Sequence, residues 1–242
     1  MPKIKFAKYC LNLFFIFYSI VWVILCYPIF KKNMVSIFGL KEVSIKSIKN
    51  WHDGVFYFTA YRNGSCVFLK YDSWYKFYTN EVKAYQLLSN SSFKNYVLPL
   101  LDYGHGCLIY PYVNQLTLYQ FLSTSSHLKS QNCFQINRQL LDILNMLKTF
   151  NLIHRDLTLK NIFIDESFKL KVFDFFYCID VDNEFKDFTS WFGRFFVLKR
   201  LGHQMYPFVW DDSFSLNKSI SSVVGLKKSA CKILKKSLTK AC

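Results

Sequence analysis

The sequence predicts an α+β chain of two lobes, a small antiparallel β lobe carrying one helix and a larger, reduced helical lobe. A hydrophobic helix is expected ahead of both. Three observations carry this expectation. Short apolar runs bounded by turn residues crowd residues 41–113, apolar residues at helix spacing dominate from Leu116 onward, and residues 11–30 are almost continuously apolar.

The N-terminal stretch reads LNLFFIFYSIVWVILCYPIF, with only Asn12 and Ser19 polar before Pro28. A helix of that length at about 1.5 Å per residue matches the roughly 30 Å hydrocarbon core of a bilayer. Residues 1–32 are therefore expected to form a transmembrane segment, with Tyr9, Trp22 and Tyr27 towards its interfaces. A cleaved signal peptide is disfavoured, because the run is long and no small-residue cleavage site follows it. The competing expectation is a hydrophobic helix packed on the domain. Lys3, Lys5 and Lys8 precede the run and Lys31, Lys32, Lys41 and Lys46 follow it, which leans towards a cytoplasmic domain.

From Lys41 the pattern turns to strands. Val43, Ile45 and Ile48 suggest a first strand, residues 55–61 (VFYFTAY) a second and residues 66–71 (CVFLKY) a third. Arg62-Asn63-Gly64 supplies a tight hairpin turn between the last two. A helix is expected over residues 78–88, then strands over residues 96–101 and 107–112 joined by Gly104-His105-Gly106. Residues 116–122 and 134–150 carry helix spacing, and residues 162–164 and 170–173 form a strand pair around Asp165-Glu166-Ser167.

Composition narrows the partners. The chain has 242 residues, 52% of them hydrophobic, and a formal net charge of +15. That charge suits nucleic acid, anionic lipid or a phosphorylated substrate, but no arginine-rich arm or nucleic-acid signature accompanies it, and no nucleic-acid partner is expected. None of the 8 cysteines falls in a C-x-x-C pair. They interrupt apolar runs, as reduced core cysteines in a cytosolic setting would.

The sharpest chemical signal is IHRDLTLKN over residues 153–161, followed by Val172-Phe173-Asp174-Phe175. It resembles the catalytic core of protein kinases and their small-molecule relatives: H-R-D, an Asn five positions after the Asp, then D-F on the next hairpin. Upstream, Val67-Phe68-Leu69-Lys70 resembles the kinase V-A-I-K strand. The resemblance implies a bilobal protein-kinase-like fold that uses ATP and Mg²⁺. It implies that Asp156 is the catalytic base, that Asn161 and Asp174 are metal ligands, and that Lys70 binds ATP phosphates with Glu81 as its ion-pair partner. Gly54 would let the backbone approach the phosphates, and the backbone of residues 108–113 (LIYPYV), which include Tyr110 and Tyr112, would hydrogen-bond adenine.

Some positions depart from that pattern. Residues 50–55 (NWHDGV) hold a single Gly where kinases carry a Gly-rich loop, and Phe176 replaces the Gly after Asp-Phe. Thr158 stands where Ser/Thr kinases place a Lys, with Lys160 two residues on. No A-P-E segment follows Asp174, and a lobe helix is expected to begin near Asp187. This economy resembles membrane-associated sugar and lipid kinases, especially those acting on the lipopolysaccharide core. From Val223, apolar residues at helix spacing alternate with lysines, as in a basic amphipathic helix lying on an anionic bilayer. The expected layout is a membrane segment at 1–32, lobes at 41–113 and 114–216, and a basic tail at 217–242. The expected function is phosphoryl transfer to a glycan or glycolipid at a membrane. An atypical protein kinase and a membrane-bound pseudokinase scaffold are the alternatives.

Overall fold

The computed structural model describes residues 17–18, 20–46, 54–73, 77–124, 130–181, 203–206, 209–223, 226, 228–235 and 238. The chain divides into two compact units, Met1–Tyr78 with Leu100–Val113, and Thr79–Pro99 with Asn114–Cys242.

The first unit is built on a five-stranded antiparallel sheet in the order β1-β2-β3-β5-β4, with β1 Lys41–Ile45, β2 Val55–Arg62, β3 Ser65–Asp72, β4 Asp102–Gly104 and β5 Cys107–Pro111. The β2–β3 hairpin closes as its sequence predicts. Arg62 pairs with Ser65, while Asn63 and Gly64 take φ of 51° and 79°, the positive values that a two-residue turn of this hand requires. The strand expected over residues 96–101 is instead a 3-10 turn, Lys94–Tyr96, followed by extended chain, and the strand that joins this sheet is β4, from Asp102. Ile48 and the loop residues 50–53 lie outside the described residues.

One face of this sheet meets the N-terminal segment. Helical residues 20–25 lead through a turn at Cys26 into α1 (Tyr27–Phe38), which Pro28 opens and Gly39 closes at φ 63°. Trp22, Phe30, Met34 and Phe38 are buried against Phe56, Phe58, Leu69 and Ile109. Trp22 stacks on Phe56 at 4.3 Å between ring centroids, and Phe30 on Phe58 at 4.6 Å. Among the described residues no helix is long and apolar enough to cross a membrane. Residues 1–16 of the expected span lie outside the described residues. Part of the run's hydrophobicity serves the sheet, since a sheet face of Phe and Leu must be covered by something apolar. Phe17, Ile20, Ile24, Leu25 and Ile29 nevertheless stay at least half exposed.

The second unit holds α2 (Tyr78–Ser89, from Thr79 on), α3 (Leu118–Thr124) and the central α4 (Ser130–Thr149). Helix α3 begins two residues later than expected, because Leu116–Thr117 forms β6 against β8. Thr117 and Gln120 cap it reciprocally, with Thr117 N–H donating to Gln120 Oε1 and Gln120 N–H to Thr117 Oγ1. Helix α4 buries Ile136, Leu140, Ile143 and Leu147, the spacing read from sequence. Beyond it come β7 (Leu152–Ile153), the hairpin β8 (Ile162–Ile164) and β9 (Leu170–Val172), and β10 (Ile179–Asp180), which pairs with β7. Gln139 on α4 clamps that hairpin, donating to the Phe168 carbonyl and accepting from Leu170 N–H.

The C-terminal part holds β11 (Gln204–Tyr206), β12 (Val209–Trp210), α5 (Asp212–Ser221) and α6 (Lys228–Lys235). The tail expected to lie on a bilayer has part of its apolar face packed on protein. Ala230, Leu234 and Leu238 are buried, and Asn137 of α4 donates its amide to the Leu234 carbonyl. The buried part of the apolar face of α6 is thus covered by protein, while Lys232 is exposed. The helix expected near Asp187 lies outside the described residues. Among the described residues six cysteines are free thiols, with Cys107, Cys133 and Cys178 buried, as expected for reduced core positions.

Candidate active site

In the helical unit the loop from Ile153 to Asn161 is held by backbone and side-chain bonds on several sides. His154 is fully buried, its Nε2 lies 3.1 Å from the Phe173 carbonyl, and its ring packs on Phe175 at 4.9 Å. Arg155 is buried with its guanidinium 4.7 Å over the Trp210 ring, a cation–π contact. Its backbone takes a positive φ of 66°, and Asp174 takes one of 65°. A non-glycine in this region costs free energy and persists only where its surroundings hold it, which happens often at functional sites.

Two of the expected site residues, Asp156 and Asn161, touch here, and Asp174 follows one hairpin later. The Asn161 amide nitrogen donates both to the Asp156 carbonyl and to Asp156 Oδ2, each at 2.8 Å. That turns its carbonyl oxygen the other way. Phe173 N–H donates to the Asn161 backbone carbonyl at 3.1 Å, one residue before Asp174. The loop thus presents a carboxylate oriented by an amide, and the chain enters Asp174 from a backbone bond to the same Asn161. Hard oxygen donors of this kind suit Mg²⁺, which takes one or two protein ligands and completes its shell with water and phosphate. Among the described residues no cluster of three His, Cys, Asp or Glu side chains could hold a metal by itself. Glu81, fully buried on α2, belongs to this unit as well.

In the sheet unit Lys70 is buried on β3 opposite Tyr57 and Leu108. Strand alternation puts Phe68 on the same face, where it lies 5.8 Å from Tyr57 and 6.5 Å from Tyr110. Gly54 has φ 76° and is buried, its carbonyl accepting from Ser73 N–H and Ser73 Oγ. At Tyr112 the backbone N–H expected for adenine is engaged within the sheet. Its N–H continues the ladder to the Cys66 carbonyl at 3.2 Å, and its hydroxyl accepts from Lys46. Alternation along the ladder turns the Pro111 carbonyl away from β3 instead.

Sequence reasoning missed Asp212. Its Oδ2 accepts from His154 N–H at 2.8 Å, and the Arg155 N–H supplies a second bond, so the loop's backbone hangs on this carboxylate. Burial raises its pKa from 3.8 to about 7, against the lowering pull of those two bonds, and the nearby Asp211 and Asp156 charges add to the rise. A signal was there to read. Asp211 precedes an apolar run at helix spacing, and it caps α5 by accepting from Phe214 N–H at 2.7 Å. Between about pH 4 and pH 7 the folded state keeps a proton that the unfolded chain has lost, so this group's contribution to stability falls as pH rises and is gone above about 7. Asp212→Asn is expected to flatten that part of the profile in thermal unfolding measured from pH 4 to pH 8.

The fold and this loop define a chain of the phosphotransferase class, one that presents an Asp, an Asn and a second Asp in that order. A protein kinase domain model matches residues 68–197, and the chain belongs to the protein kinase family. It is also 37% identical over 71 residues to the probable serine/threonine-protein kinase KIN1 homolog of Encephalitozoon cuniculi (strain GB-M1). That stretch is 29% of this chain and 12% of the relative's length. Both likenesses are to protein kinases, not to sugar or lipid kinases.

Proposed function

We propose that the protein is an ATP- and Mg²⁺-dependent kinase that phosphorylates a protein hydroxyl. The observation that supports it best is the bonding of Asn161 to Asp156, with Asp174 one residue after the Phe173 amide that bonds to Asn161. In this reading the acceptor hydroxyl passes its proton to Asp156 as its oxygen bonds to the γ-phosphorus, the bond to the β-phosphate oxygen breaks, and ADP leaves. Asn161 and Asp174 would hold Mg²⁺, which neutralises charge on the phosphates. Lys70 would bind the α- and β-phosphates from the sheet unit, with Glu81 aiming it, and the Pro111 carbonyl would face adenine.

The serine/threonine kinase relative favours a protein acceptor over the glycan or glycolipid expected from sequence. A second reading, glycolipid phosphorylation at a membrane, keeps one observation in its favour: the exposed side chains of Phe17, Ile20, Ile24, Leu25 and Ile29. The test is transfer from γ-labelled ATP to a membrane extract and a soluble protein extract, with label sorted into protein and glycolipid. Label in protein that an Asp156 variant cannot place is the expected result. Label confined to glycolipid would move the assignment to the second reading.

A further inference from the structure

Beside Asp156 the helical unit gathers positive charge. Lys160 lies four residues after Asp156 on the same loop, exposed, its ammonium 5.4 Å from the centre of the Tyr119 ring. Leu159 N–H donates to Ser219 Oγ at 3.0 Å, and this bond brings the loop next to Lys218, which is exposed on α5. His203, half-buried just ahead of β11, feels both lysines: after burial, Lys218 and then Lys160 lower its pKa. Two neighbouring carboxylates are engaged elsewhere. Asp211 accepts from Ser213 Oγ and Phe214 N–H, and Asp212 accepts from the backbone of His154 and Arg155. Among the described residues neither Lys160 nor Lys218 forms an ion pair with an acid. Like charges held close together repel one another, and a bound anion lowers that cost.

We propose that Lys160 and Lys218 receive negative charge on the acceptor, with the imidazole of His203 beside them, so that the protein phosphorylated by this kinase carries acidic or already phosphorylated residues beside its hydroxyl. The proposal rests on the kinase reading and deepens it to a substrate class. The two lysines would pair with carboxylate or phosphate oxygens flanking the acceptor, while Asp156 meets the hydroxyl itself. The formal net charge of +15 adds long-range attraction for such a partner.

The test uses the full chain and four peptides that share one central serine, flanked by Glu, phosphoserine, Gln or Lys. Transfer from γ-labelled ATP should favour the Glu and phosphoserine peptides about tenfold in kcat/KM over the Gln peptide, and the preference should shrink as salt is raised. The ratio between the two acidic arms tells carboxylate from phosphate recognition. Lys218→Glu should erase the preference and favour the Lys peptide, with peptide-independent ATP hydrolysis unchanged. Equal use of the Gln peptide, or an unaltered preference in Lys218→Glu, would overturn the proposal and leave the kinase reading standing. Should no peptide be labelled at all, the kinase reading fails. Anisotropy of a fluorescent Glu peptide then decides the site separately, with weaker binding to Lys218→Glu expected and equal binding counting against it.

Discussion

Asp156→Ala is expected to lower phosphoryl transfer by about a thousandfold, within the range a positioned general base contributes. The carboxylate is the group the Asn161 amide orients, and nothing else on the loop replaces it. The fold should survive, because the same amide keeps its bond to the residue 156 carbonyl. Asp156→Asn is the sharper variant. It preserves shape and removes basicity, so it should lose about as much activity with an unchanged unfolding midpoint. Steady-state transfer assays beside thermal unfolding separate the two effects. A variant that keeps a tenth or more of wild-type transfer would exclude the base role and favour a scaffold that binds without catalysing.

Trp22→Ala should destabilise the sheet unit by about 3–5 kcal/mol, the range for deleting a large buried aromatic. For a chain of this size that lowers the unfolding midpoint by roughly 10 °C. Trp22 is 6% exposed, stacks on Phe56, and lies within 6 Å of Phe30, Phe58 and Tyr71 by ring centroids. Removing it opens a cavity among closely packed rings. The experiment also divides two accounts of the N-terminal run. A large loss of stability in detergent-free buffer is expected of a sheet-packed residue. Unchanged stability together with weaker retention on lipid vesicles would return Trp22 to a membrane role.

Much of the site was legible in the sequence because its residues sit at short, fixed separations. Asp156 and Asn161 lie on one loop, and Asp174 follows one hairpin later, so local chain geometry carries most of their placement. The hairpin at Asn63-Gly64 was legible for a similar reason, since few residues accept two successive positive φ values. Strand register was less so. The expected strand over residues 96–101 has the apolar residues of a strand, yet Val97 makes only an isolated parallel bridge to Val172 of β9, a partner far along the chain. Tyr112 illustrates the same limit, as its amide is taken by Cys66 on the neighbouring strand.

By itself, then, the sequence determined the order of the chemistry, the turn that closes the β2–β3 hairpin, and which helical faces are apolar. What covers those faces was decided only by the tertiary structure. The run at Trp22–Phe38 turns one side to the sheet, and the tail turns Ala230, Leu234 and Leu238 to protein where a bilayer was expected. Periodicity reports that a face avoids water; it holds no information on whether lipid or protein excludes that water. Asp212 is the corresponding case among polar groups. Its raised pKa and its hold on the catalytic loop come from burial and from two amides more than fifty residues away, and desolvation belongs to the surroundings of a residue, which only the folded chain assembles.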